Sequence, residues 1–330
     1  MGLACRATRA GLRAVAFTSC FIGGAVLPSR PALALVSVLS SLALFVGPAE
    51  ARAQGRSLPS FNLQRLELDP AALGSLMVGT GRTLPQGALR MSVQGHYEQL
   101  PFTFQRRWEP GSGRGLVEDR FTMDLTAAYG VLPWLQVAAE VPFIVTQGGT
   151  RFRDFNAPEG SGMGTPWLGL RAALKRQDFG FQMAADVSAA LPVGSTALLA
   201  RDDYAVHPRL QVGFLAETWQ VGGEAGVLVR KKHELSSVSG FSQDVIGSEL
   251  RLGATVTSRA GESTRGEVSL VAGLPLQGGR PGGELLLAIR KHALSWLDLY
   301  VLGGPGVGAG MDTPTFRFVA GASFSTFRVD

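Results

Sequence analysis

The stretch Ala88–Glu98 constrains the fold more than any other. Leu89, Met91, Val93, Gly95 and Tyr97 share one parity; Arg90, Ser92, Gln94, His96 and Glu98 share the other. Side chains alternate across a strand, so a strand here has one oily face and one wet face. A helix of the same sequence would spread charge around its whole circumference. The alternation recurs along the chain. We expect twelve strands: Ala88–Glu98, Phe121–Gly130, Leu135–Val145, Trp167–Leu174, Phe181–Leu191, Arg209–Ala216, Trp219–Val229, Ile246–Val256, Glu267–Leu274, Glu284–Arg290, Leu297–Gly303 and Thr315–Phe324. It is weakest over the tenth and eleventh.

The connections alternate too. Long polar loops (residues 99–120, 146–166, 192–208 and 230–245) interleave with short turns at Val131–Trp134, Lys175–Gly180 and Glu217–Thr218. Later loops are shorter and rich in Gly and Pro, and Thr257–Arg265 is a longer turn than the pattern prefers. Aromatic residues fall at both strand ends. Tyr97, Phe121, Phe143 and Phe316 lie toward the long loops, and Tyr129, Trp134, Phe181, Trp219, Trp296 and Phe324 toward the short turns. Most segments approach the roughly 9–11 residues with which a tilted strand crosses a bilayer. Together these features predict an all-β fold, an antiparallel up-and-down transmembrane barrel of the bacterial outer-membrane type. A soluble sandwich or lipocalin-like barrel would show the same alternation with its apolar face turned inward.

Residues 1–53 read as an export signal. Arginines precede an apolar run from Pro31 to Gly47, and Ala49-Glu50-Ala51 and Ala51-Arg52-Ala53 both fit a small-x-small cleavage site. This segment holds Arg6, Arg9, Arg13, Arg30 and Arg52 against Glu50, so most of the formal charge of +5 resides there. Without it the chain is nearly neutral, which removes electrostatic support for a nucleic-acid partner. Both cysteines, Cys5 and Cys20, also lie there. A cleaved chain therefore has no disulfide or thiolate metal site. Residues 54–87 form a lead that could hang free or plug the barrel mouth, and residues 88–330 form the barrel.

If the apolar parity faces lipid, the other parity lines the lumen. It carries Arg90, Arg171, Arg209, Arg251, Arg290 and Arg317, and Glu98, Asp124, Glu140, Asp186, Glu224, Glu249, Glu267, Glu284 and Asp298. Twelve strands enclose far less space than porins of roughly 16–18 strands. Two readings follow. Either the charges line a narrow polar channel, slightly acidic and suited to cations or neutral polar solutes, or they pair and close the lumen of a structural barrel. Arg106, Arg107, Arg151, Arg153, Arg230, Lys231 and Lys232 in or beside the long loops would offer such a barrel a partner-binding surface.

Chemical motifs are absent. His96, His207, His233 and His292 lack metal-ligand spacing, and the last three are expected in or beside loops and turns. Ser188 and Ser195 lie near His207 in sequence without forming a recognisable dyad. Gly79-Thr80-Gly81 and the glycines of residues 303–310 lack the lysine and the strand–turn–helix setting of a phosphate loop, and read as turns. No cofactor and no enzymatic activity are expected. The expected partners are outer-membrane lipid, a small solute and the barrel-assembly machinery.

From Phe61 to about residue 325 the chain resembles the barrel half of OmpA-type fusion proteins. It is also similar to the outer-membrane transporter family named after the phenol meta-cleavage pathway. Leu66-Glu67-Leu68-Asp69-Pro70, Gly79-Thr80-Gly81-Arg82-Thr83-Leu84-Pro85 and the strand ending His96-Tyr97-Glu98 carry the likeness. It implies twelve strands, an outer-membrane location and, loosely, transport, and it supplies no catalytic residues. The peptidoglycan-binding domain of the OmpA-type fusions is not expected here.

Overall fold

The computed structural model describes residues 58–103, 115–151, 155–176, 179–235, 244–258 and 263–327. The export signal read at residues 1–53 lies outside them. The strands in chain order are β1 (Leu89–Thr103), β2 (Gly115–Leu132), β3 (Leu135–Gly148), β4 (Gly160–Met163), β5 (Trp167–Lys175), β6 (Gly180–Ala190), β7 (Ala205–Leu215), β8 (Trp219–Arg230), β9 (His233–Glu234), β10 (Val245–Ile246), β11 (Glu249–Ser258), β12 (Thr264–Pro275), β13 (Gly282–Leu294), β14 (Leu297–Gly308) and β15 (Phe316–Ser325). β4, β9 and β10 are short loop strands. The other twelve form the wall, each antiparallel to its neighbours. β15 returns to β1 from Arg90↔Ser325 to Gln99↔Phe316, so the twelve-stranded wall closes on itself.

All twelve expected strands are present. Their ends move outward in several cases: β1 runs five residues past Glu98, and β7 begins at Ala205, inside the expected third loop. The apolar parity faces out and the charged parity faces in, which overturns the soluble alternative. Val93, Leu170, Leu210, Leu252, Leu287 and Phe318 are exposed, whereas Arg90, Asp124 and Arg317 are buried. Among the described residues no helix is long and apolar enough to cross a membrane. At the short-turn end, Trp219 packs against Phe214 with ring centroids 5.7 Å apart, and Trp296 stacks on Phe324 at 5.8 Å. At the long-loop end, exposed Tyr97 sits opposite exposed Phe318, with Phe316 beside them.

The lead segment threads the barrel. At the long-loop end the Phe61 ring lies 5.6 Å from Phe102 and 6.1 Å from His233, and Leu63 N–H donates to Leu199 O at 2.8 Å. At the short-turn end Leu84 N–H donates to Gln136 Oε1 at 3.0 Å, and Gly87 N–H to Gly130 O at 2.8 Å. The segment thus runs through the lumen against the direction of β1, and Gly87, at φ +78°, turns the chain back into that strand. Gly79-Thr80-Gly81 is a contact, not a solvent turn. The wall opposite Thr80 is stripped to glycine. A Cβ on Gly213 would lie 2.3 Å from Thr80 O, and one on Gly222 would lie 2.7 Å from its Cγ2.

An outward apolar parity carries a direct consequence. Leu287, 60% exposed at mid-strand in β13, should tolerate charge poorly: Leu287→Arg should destabilise the barrel in bilayers by about 2–4 kcal/mol. Urea titration of protein folded into liposomes measures this, and an unchanged midpoint would contradict a hydrocarbon-facing surface.

Candidate functional site

The site is the filled lumen. Around the lead segment, alternate residues turn opposite ways. Leu66 and Leu68, with Ala72, Leu76, Met77 and Val78, pack on Leu286, Ala288, Tyr300, Leu302 and Val319 of β13–β15. Leu63 joins a second apolar cluster at the long-loop end with Phe61, Phe102, Leu116, Phe155, Leu199 and Leu235. Arg65, Glu67 and Asp69 turn toward the charged wall.

There the charges form one continuous alternating chain. Asp69 pairs with Arg171 at 2.9 Å, and Arg171 with Asp186 at 3.0 Å. Asp186 pairs with Arg209 at 2.6 Å, and Arg209 reaches Glu67 at 3.2 Å. Glu67 also takes Arg251 at 2.7 Å and His207 Nδ1 at 3.2 Å. Arg251 pairs with Glu249 at 2.8 Å, Glu249 with Arg65 at 3.4 Å, and Arg65 with Asp312 at 2.5 Å. Three residues of the segment, spaced two apart, complete a wall that would otherwise have gaps at those positions. Charges taken from water this completely persist only when paired and hydrogen-bonded.

Each residue read as lumen-lining points inward. Beyond the chain just described, Arg290 donates to Ala72 O at 2.6 Å and Glu224 accepts from Gly79 N–H at 2.9 Å. Glu267 accepts from Leu76 N–H at 2.8 Å and from Ser75 Oγ. Asp124 and Glu140 both receive the Gln64 amide, at 3.1 and 3.5 Å. The rest pair along the wall: Arg90 with Asp298 at 2.9 Å, and Arg317 between Glu284 at 2.6 Å and Glu98. The two same-face neighbours Glu249 and Arg251 are bonded to each other.

Three inward arginines escape the sequence reading. Arg120, Arg230 and Arg265 are buried at strand ends that the pattern assigned to loops. They match the nine inward acids with nine arginines and remove the expected acidic excess. A finer placement of strand ends would have found them. Arg230 also leaves the basic loop surface: it donates to Gly247 O at 3.0 Å and Asn62 O at 3.2 Å. Lys231 and Lys232 stay exposed but are paired with Asp203 and Glu234. Arg106, Arg107 and Arg153 lie outside the described residues.

The histidines depart from expectation as well. His207 and His292 lie within β7 and β13, the latter against Asp298. Ser188 and His207 are direct cross-strand partners. Yet His207 Nδ1 faces Glu67, and its Nε2 points to β8, where a Cβ on Gly226 would lie 3.0 Å away. Ser188 is on β6, the opposite side. A serine–histidine proton relay needs that nitrogen on the hydroxyl, so the pair is not arranged as a nucleophile and base. Among the described residues no group of three or more His, Cys, Asp or Glu is placed to hold a metal.

Small cavities flank the segment. Arg65, Glu67, His207, Arg209, Glu224 and Arg251 line one, and Glu140, Trp167, Arg171, Asp186 and Ser188 line another beyond Glu67. A third lies toward the long loops, beside Arg230, Glu249, Arg280 and Asp312. Arg65, which lines the first and pairs with Glu249 and Asp312, stands between the first and the third.

The architecture is that of an outer-membrane β-barrel. Among solved structures the chain is similar to an outer membrane channel from Pseudomonas putida F1, with 16% identity and a TM-score of 0.52 over 74% of this chain and 97% of that one. It is also similar to the NanC porin (10% identity, TM-score 0.46, 71% of this chain and 98% of that one) and to the KdgM porin (10%, 0.44, 71% and 98%). No family model matches, and no curated protein matches in sequence.

Glu67 is the joint of the charge chain. Glu67→Gln leaves Arg209 and Arg251 each short of a carboxylate, and should loosen the docked segment by about 3–5 kcal/mol. A cysteine at Ser75, buried in the docked state, should react with a water-soluble maleimide much faster in that background. Equal rates would show that the ion pairs do not hold the segment.

Proposed function

We propose that this protein is a narrow outer-membrane channel for small solutes and that residues 58–87 are its gate. The observation that carries the proposal is the nature of the segment's attachment. Below Phe61 and Leu63 it is held on the charged side by side-chain ion pairs and single hydrogen bonds and on the other side by packing of Leu66, Leu68, Leu76 and Met77 on β13–β15, not by strand pairing with the wall. The polar contacts among them exchange with water. The charged wall around Arg171, Arg209, Glu224 and Arg251 is ready to be hydrated once the segment moves. The paired sets Arg90–Asp298 and Glu98–Arg317–Glu284 belong to the wall alone and stay paired when it does.

The rest of the reading goes with this. Residues 1–53 would direct export and be removed, and the barrel-assembly machinery would insert residues 88–330 into outer-membrane lipid. Kinship with the phenol meta-cleavage transporters is part of the same proposal. It rests on the likeness over Leu66–Pro70 and Gly79–Pro85. The second reading, a structural barrel with a closed lumen, draws on the completeness of the charge chain.

Planar bilayers separate the two. The unaltered protein should give small discrete current steps, and a chain lacking residues 64–80 should give steps several-fold larger. Silence from both proteins, each correctly inserted, would favour the structural barrel.

A further inference from the structure

One part of the wall stands apart from the charge chain. On β1, β2 and β3, six neighbouring inward residues carry polar atoms that no protein group satisfies. Arg120 is 1% exposed, and none of its three guanidinium nitrogens has a hydrogen-bond partner. The same is true of His96 Nδ1, Gln94 Nε2, Thr122 Oγ1, Asp124 Oδ1 and Gln147 Oε1, while His96 Nε2 lies 3.1 Å from Asp124 Oδ2. These residues form a grid. Gln94 faces Asp124, His96 faces Thr122, and Arg120 faces Gln147 across the strand pairs. Native interiors leave few such groups without partners, and a contiguous set calls for an explanation.

The remaining atoms of these side chains are committed, which fixes the orientation of the free ones. Gln94 Oε1 accepts from Tyr300 OH at 2.5 Å, Gln147 Nε2 donates to Pro158 O at 2.7 Å, and Asp124 Oδ2 accepts from Gln64 at 3.1 Å. Gln64 belongs to the gate, and its own Oε1 is also unmatched. It therefore covers the patch without saturating it. Movement of the gate exposes the patch to the lumen.

We infer that this patch is a station for a neutral polyhydroxylated solute of about monosaccharide size; the inference rests on the channel reading above. Charge selects the class. Arg120 and Arg317 repel a cation, while Asp124, Glu98 and Glu284 repel an anion. Hydroxyl groups donate and accept, so one polyol can serve the donors of Arg120 and Gln94 together with the acceptors of Asp124 and Gln147. Size agrees: three strands at about 4.8 Å and three inward rows at about 6.6 Å give a face of roughly 10 by 13 Å.

The test uses the full chain in planar bilayers with millimolar glucose as the probe. Glucose should interrupt the open current in a concentration-dependent way. Arg120→Gln should keep the current steps but shorten the interruptions about tenfold, the value of one charged hydrogen bond. Gln94→Leu should do the same, which guards against a folding defect in the arginine variant, and Thr257→Val on the distant wall should leave the interruptions intact. Current without glucose interruptions, interruptions that survive both variants, or interruption by gluconate instead would overturn the station and leave the channel standing. A silent bilayer would overturn the channel. Calorimetry on detergent-purified protein then decides the station by itself: glucose heat lost in Arg120→Gln sustains it, and no heat overturns it.

Discussion

The structure depends on the desolvation of charge inside a closed sheet. The barrel must present carbon to hydrocarbon, so its charged residues have only the lumen to occupy. Twelve strands leave too little room there for bulk water around nine arginines and nine acids. Most of these ions need a partner, and the wall does not provide all of them. Arg65, Glu67 and Asp69 complete the charge chain from Arg171 to Asp312, and polar and backbone groups of the segment meet Glu140, Glu224, Glu267 and Arg290. Removing one partner from a dry lumen is expensive because the other is stranded. Removing the whole segment is different, because water enters with its departure and hydrates what was paired. The same ion pairs that hold the closed state rigid therefore do not forbid an open one.

Apolar packing sets where the segment can sit before charge fixes its register. Leu66 and Leu68 need an oily surface inside a barrel whose inner parity is otherwise polar. β13–β15 supply it with Leu286, Ala288, Leu302 and Val319. This is why the alternation was weakest over Glu284–Arg290. Leu285, Leu286, Leu287, Ala288 and Ile289 form an unbroken apolar run, the mark of a strand covered on both faces. Lipid covers one face and the segment covers the other. The sequence thus held evidence for an occupied lumen in the region where the strand pattern looked poorest.

Most of the wall was legible because its physics is local: parity, turn chemistry and strand length are properties of neighbouring residues. The occupied lumen was not, because it depends on pairs far apart in the chain. Glu67 meets Arg209 and Arg251 across more than a hundred residues. Nothing in the alternation of either strand reveals which residue of the lead it will meet. The seat for Thr80 is intermediate. Gly213 and Gly222 lie at lumen parity on paired strands, where a side chain would normally fill space. Two glycines facing each other mark a place where something else approaches. The arginines at 120, 230 and 265 were lost for a simpler reason, since a change of one or two residues in a strand end decides whether a side chain belongs to a loop or to the lumen.

Topology limits how such a gate can open. The segment is continuous with β1 at the short-turn end, and its other described end, Leu58, lies among the long loops. Pulling it toward the long loops leaves a strand of chain running down the lumen, because Gly87 stays fixed at the far end. Only retraction through the short-turn end clears the bore, and that requires the Phe61 and Leu63 anchor to leave its apolar cluster first. Smaller openings ask for less. Rotation of Arg65 away from Glu249 and Asp312 would trade two ion pairs for hydration without moving the backbone. The segment can therefore be loosened locally at far lower cost than it can be withdrawn from the lumen.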